Sequence, residues 1–178
     1  MAVLDLCLRL GLAGVFAVGS ATKIVDMRAF AEAIADYQLL PKSLVGLSAR
    51  IIPPLELAVA AGLLVPALVW PAAIGGSVLL AAFAGAMVIN LRRGRRIKCG
   101  CAGASSASRI SWALVARNGV LIGGVLVAAS AGRAGVLAAG DILPALVIVS
   151  VGVLTVASGG IALKVAQRMR LLSAGPVR

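Results

Sequence analysis

The sequence predicts an all-α protein that crosses a membrane several times, and three observations carry that prediction. Apolar residues make up 61% of the 178-residue chain, with a mean hydropathy of +1.08, far above the roughly 45–50% of soluble domains. Five apolar runs each reach the ~20 residues that a helix needs to cross a ~30 Å hydrocarbon core. The cations gather at the ends of these runs instead of spreading over a surface. The expected architecture is a polytopic helical bundle, with four core transmembrane helices and a fifth C-terminal one. Residues 1–131 form the four-helix unit, and residues 132–178 add the last helix and a basic tail.

The first span, Val3–Thr22, has no cation before its apolar run and contains Asp5 and Arg9. It does not read as a signal peptide, and its retention is expected. Next comes Asp26–Leu40, where Met27, Phe30, Ile34 and Tyr37 recur at three- or four-residue spacing while Arg28, Glu32 and Asp36 fall elsewhere. That periodicity predicts a short amphipathic helix in the interface, ended by Pro41. The second span, Arg50–Val69, carries Pro53-Pro54 near its start, which predicts a distorted first turn. A turn at Trp70–Pro71 leads into the third span, Pro71–Leu91. The fourth is Ile110–Ala131, whose Gly119-Val-Leu-Ile-Gly123 has GxxxG form, read first as packing inside the bundle and second as a dimer contact. The fifth is Ile142–Leu163.

The charge sets the expected orientation. Of the net +11, Lys23, Arg28, Lys42 and Arg50 flank the first long connection, and six cations lie in the 18 residues from Arg92 to Arg109. Lys164, Arg168, Arg170 and Arg178 lie in the tail, whereas the opposite side has only Arg133. The positive-inside bias then puts the N-terminus outside and both long loops and the C-terminus in the cytoplasm of a bacterial inner membrane. Nucleic acid is not the expected partner: there is no basic helix face, and three Phe, two Trp and one Tyr offer little for base stacking. Trp112 and Tyr37 read as membrane-belt aromatics, with quinone stacking as the second reading. Histidine is absent, which removes haem and Cys/His zinc chemistry.

The chemistry concentrates in Arg92-Arg93-Gly94-Arg95-Arg96-Ile97-Lys98-Cys99-Gly100-Cys101. Two cysteines one residue apart can close a disulfide if the middle residue is compliant, as glycine is. So small a ring is strained, and strained disulfides exchange readily. Arg95, Arg96 and Lys98 place positive charge beside Cys99 and Cys101 and so favour the thiolate. Two other readings stay open: a two-thiolate site for a soft ion such as Cu(I), and a pair of inert surface thiols. Cys7 lies too far along the first span to join a metal site and reads as a packing residue. No metal site is therefore assigned.

Helical rise also gives depth. Lys23 and Asn90 close their spans at the cytoplasmic end, Glu56 lies ~9 Å below that face, and Arg117 lies ~10 Å below it with Asn118 beside it. These five side chains are expected to converge beneath the cysteine loop. Depth and sign match Glu56 to Arg117, so an ion pair between them is expected, either fixing helix register or serving the chemistry.

Gly19-Ser-Ala-Thr-Lys23, Phe30, Tyr37-Gln-Leu-Leu-Pro41, Pro54-Leu-Glu56, Asn90-Leu-Arg-Arg-Gly94, Cys99-Gly-Cys101-Ala-Gly103, Ser111-Trp112 and Arg117-Asn118 come in this order and spacing. In these residues the chain resembles the MauE group of the DoxX/MauE redox-associated membrane proteins, over about Leu8 to Asn118. Ala102 departs from the pattern, which often has Phe there. The resemblance implies a helical-bundle membrane protein that works with a thioredoxin-like partner in maturing a disulfide-rich periplasmic methylamine dehydrogenase. The resulting expectation is a thiol–disulfide redox protein that uses Cys99 and Cys101. Lys23, Glu56, Asn90, Arg117 and Asn118 line a polar pocket beneath them, with a quinone as the candidate membrane-side carrier. A non-catalytic assembly factor is the alternative, and a soft-metal binder is the third reading. Oxidative maturation outside the membrane conflicts with a cytoplasmic cysteine loop; the charge asymmetry is given precedence. The sequence leaves the oligomeric state open.

Overall fold

Why the chain folds as it does is clearest at the interruptions of its helices. The structure, a computed structural model, describes residues 2–95, 97, 99 and 109–131. These form α1 (Ala2–Val25), α2 (Met27–Asp36), α3 (Lys42–Leu64), a 3-10 turn (Pro66–Leu68), α4 (Val69–Arg92) and α5 (Trp112–Ala131). Four of the helices are long and apolar enough to cross a membrane, so the all-α membrane bundle stands. The expected fifth span and its tail lie outside the described residues.

Asp26 starts α2 by accepting the Ala29 N–H on its carboxylate at 3.0 Å, an N-cap that satisfies a donor the helix leaves open. Gln38 ends it in the left-handed region, at φ 51°, and Pro41 prevents continuation. The amphipathic stripe does more than face the interface. Phe30 and Ala33 are buried, and α2 packs on α3 across the end of the bundle.

α3 begins at Lys42, eight residues before the expected start, and the prolines sit inside it. Proline removes its own donor and restricts the residue before it, yet a helix can run through where neighbours support it. Here α1 packs against this stretch, and the Ser20 hydroxyl donates to the Pro53 carbonyl at 2.8 Å, fully buried. The hairpin turn also lies earlier than expected, at Val65–Leu68 instead of Trp70–Pro71. Pro71 falls in the first turn of α4, where a missing N–H costs nothing, and Pro66 opens the 3-10 turn for the same reason.

The pairings α1–α3, α3–α4 and α4–α5 run antiparallel. Ser20 meets Pro53 while Phe16 and Val59 meet at Gly76, Gly62 faces Ala72, and Asn118 reaches Leu80. α1 packs on α3, α3 on α4, α4 on α5, and α5 back on α1, closing a ring in which α3 and α5 are diagonal. Leu12, Phe16, Leu63, Ala73, Leu121 and Val125 fill its centre. Gly62 is required by the hairpin, because a Cβ there would stand 2.8 Å from the Ala72 Cβ. Gly119 and Gly123 are exposed, with no described atom within 4 Å of a Cβ added at either. Among the described residues, the GxxxG pattern is therefore not used inside the bundle.

Candidate functional site

Lys23 is the largest fully buried side chain among the described residues. Its ammonium holds both carboxylate oxygens of Glu56, at 2.7 and 2.8 Å, and the Gly19 carbonyl at 3.3 Å. The Phe30 and Phe83 rings close over it, with centroids 5.5 and 5.4 Å away, a cation–π contribution in a dry setting. Each side chain of the pair is at most 6% exposed. Charges so buried hold only as long as both partners are present.

This corrects the expected Glu56–Arg117 pair. Rise per residue gives depth along a helix but not direction around it. Glu56 on α3 faces α1 directly, whereas Arg117 belongs to α5 on the far diagonal. The Arg117 Nε is buried without a hydrogen-bond partner among the described residues. Asn118 also takes a separate level. It is 1% exposed and donates to the Leu80 carbonyl at 3.5 Å, ten residues or ~15 Å of helix below Asn90. Lys23 and Glu56 come together at the level of Phe83; Asn90, Arg117 and Asn118 do not join them in one pocket.

Asn90 organises the upper layer. Fully buried, it donates from Nδ2 to the carbonyls of Tyr37 and Ala86, both at 3.1 Å, and its Oδ1 accepts from Arg95 at 3.1 Å. The backbone brings Arg95 back over it. Gly94 at φ +71° lets its own N–H reach Leu91 and the Arg95 N–H reach Asn90, both at 3.0 Å, the Schellman ending that favours glycine at this position. Arg95 thus has a defined partner in Asn90, beyond lending charge to the loop. Arg96, Lys98 and Cys101 lie outside the described residues.

Cys99 is buried, at 5% exposure, not displayed on the loop surface. Its sulfur lies 4.0 Å from the Met87 sulfur, in an apolar cluster completed by Ile110 and flanked by Tyr37, Ile97 and Leu114. The Tyr37 hydroxyl donates to the Cys99 carbonyl at 3.1 Å. Tyr37 is half-buried against the cysteine segment, whereas Trp112 is 58% exposed. Cys7 is exposed on α1, not packed as expected. Tyr37, Met87, Phe30 and Phe83 are the site residues that sequence reasoning missed. One signal was available: Leu80, Phe83, Met87 and Asn90 follow at three- and four-residue spacing on one face of α4.

Comparisons with known proteins place the chain in a family. The family model described as "Methylamine utilisation protein MauE" matches residues 1–131. The methylamine utilization protein MauE of Paracoccus versutus is 44% identical over 124 residues, covering 69% of this chain and 67% of that protein. Its counterpart in Paracoccus denitrificans is 38% identical over 115 residues, with 64% and 62% covered. That of Methylophilus methylotrophus is 39% identical over 111 residues, with 61% and 58% covered. The chain thus spans about three-fifths to two-thirds of the length of these relatives. No solved structure matches it. With the family model spanning α1 to α5, the chain belongs to the MauE family of methylamine utilisation proteins.

Proposed function

We propose that this protein is an inner-membrane thiol–disulfide exchange protein for methylamine utilisation. It passes reducing equivalents between Cys99 and Cys101 and a thioredoxin-like partner. The observation that carries the reading is the setting of Cys99, latched by Tyr37 and seated on Met87, one turn of α4 from Asn90, which holds the Tyr37 carbonyl. The names of the relatives supply the pathway. In the reducing direction, one cysteine thiolate attacks the partner's disulfide. An S–S bond forms between the proteins, and a partner thiolate leaves and takes up a proton. The second cysteine then gives up its proton and attacks the mixed disulfide, closing the Cys99–Cys101 bond and releasing the partner as a dithiol. The partner gains two electrons and the pair loses two; the opposite direction runs the same steps backwards. A quinone–quinol couple is the proposed membrane-side carrier, exchanging two electrons and two protons with the pair. Because Cys99 is 5% exposed, exchange requires its segment to lift from Met87. The Lys23–Glu56 layer sets the charge below, and Arg95, Arg96 and Lys98 the charge around the pair. The cation distribution supports an N-terminus outside and this end of the bundle in the cytoplasm.

A second reading, a non-catalytic assembly factor, is favoured by the same burial, since Cys99 sits 5% exposed in an apolar cluster with Met87 and Ile110. Thiol trapping in intact cells separates the two. In a Cys7→Ala background, a permeant and an impermeant maleimide are applied before and after reduction. The exchange reading expects a partly oxidised pair that shifts with reductant, and loss of partner maturation in Cys99→Ser/Cys101→Ser. A pair that is always reduced, with maturation intact in the double variant, leaves the scaffold reading.

A further inference from the structure

Between the end of α4 and the start of α5 lies an open groove of about 540 Å³. Arg95 and Arg109 line it together with Ser111 and Trp112, and Leu91 and Ile110 form its apolar wall. We propose that this groove binds the phosphate headgroup of an anionic phospholipid.

The charge inventory carries the argument. No Asp or Glu occurs between Glu56 and Asp141, so α4, α5 and the segment joining them contain no acid of their own. Glu56 is already committed to Lys23. Neither Arg95 nor Arg109 has an acidic partner among the described residues. Arg95 is held in place by its bond to Asn90, which leaves the rest of its guanidinium for an oxyanion, and Arg109 is exposed at the rim. The positive end of the α5 dipole faces the same space, and the Ser111 hydroxyl adds a donor. Two guanidinium groups, a hydroxyl and a helix N-terminus make a phosphate-binding chemistry.

Two features favour a lipid over a soluble anion. The groove opens at the end of two membrane-spanning helices, beside a largely exposed tryptophan, the residue that sits at headgroup depth. Its polar side is continued by the half-buried Leu91 and the exposed Trp112, a surface suited to the glycerol and the first acyl carbons but of no use to free phosphate.

The test is native mass spectrometry of the full chain in detergent with palmitoyl-oleoyl phosphatidylglycerol and its phosphatidylcholine analogue. Phosphatidylglycerol is expected to be retained over phosphatidylcholine. The Arg109→Gln variant is expected to weaken that retention about fivefold, equivalent to roughly 1 kcal/mol for one cation near a phosphate. Arg93→Gln, also an exposed cation at this end but outside the groove, is expected to change it less than about twofold. Equal retention of the two lipids overturns the proposal. So does an Arg93→Gln loss as large as that of Arg109→Gln, which would mean diffuse attraction to the whole basic end. Displacement of the lipid by millimolar inorganic phosphate overturns it as well, by making the groove a site for a soluble anion.

Discussion

A lysine at 2% exposure within a membrane bundle is tolerated only because Glu56 meets it with both oxygens and two aromatic rings exclude water around it. Truncating one partner leaves the other charge buried and alone, which costs about 3–5 kcal/mol. Lys23→Met and Glu56→Met are each expected to lose that much in denaturant unfolding in detergent. The double variant Lys23→Met/Glu56→Met is expected to recover most of the loss, because an apolar pair of similar volume removes the charges together. Equal, additive losses would show that the two side chains do not act as a pair. At Tyr37 the expected effect is on access more than on stability. Tyr37→Phe keeps the ring but removes the bond to the Cys99 carbonyl, a contribution of about 0.5–1.5 kcal/mol. Maleimide labelling of Cys99 in a Cys7→Ala/Cys101→Ala background is then expected to speed up by roughly two- to tenfold, while the unfolding midpoint changes little. An unchanged labelling rate would show that Tyr37 does not hold the segment down.

At the scale of the elements, small residues decide how closely helices meet. Gly62→Ala puts a methyl group 2.8 Å from the Ala72 Cβ, in the tight hairpin of α3 and α4. Overpacking of this kind costs about 1–3 kcal/mol. Gly85 faces open space, so Gly85→Ala is expected to be neutral or slightly stabilising through helix propensity. Thermal unfolding of the two variants side by side checks the contrast. Ser20 has the corresponding role between α1 and α3, where its hydroxyl meets the Pro53 carbonyl. The proline pair itself was plain in the sequence, but its consequence was not. Read alone, Pro53-Pro54 marks a helix start, because the helix-breaking rule is local. Whether a helix survives its prolines depends on what packs beside it, and here α1 and α2 do.

For the molecule as a whole, the ring of helices α1–α3–α4–α5 sets which polar residues meet. One end collects α2, the cysteine segment and the cations, while the other carries the Val65–Leu68 turn. In a background with Cys7, Cys99 and Cys101 all replaced by Ala, a cysteine introduced at Pro66 is expected to react with an impermeant maleimide in intact cells, and one at Arg93 only after permeabilisation. The reverse result inverts the proposed orientation and places the cysteine pair on the side where oxidative maturation proceeds. The sequence by itself determined the membrane, the helical class and the number of spans up to Ala131, because apolar content and run length act locally along the chain. It also singled out Lys23, Glu56, Asn90 and Cys99, since a charge, an amide or a thiol in an apolar run is conspicuous wherever it points. Only the tertiary structure decided which of them meet. Lys23 takes Glu56 because α1 touches α3, Arg117 does not because α5 lies on the diagonal, and Cys99 is buried because α2 folds back to bring Tyr37 over it. Depth follows from rise per residue, but azimuth around the bundle follows from packing, and packing is a property of all the helices together.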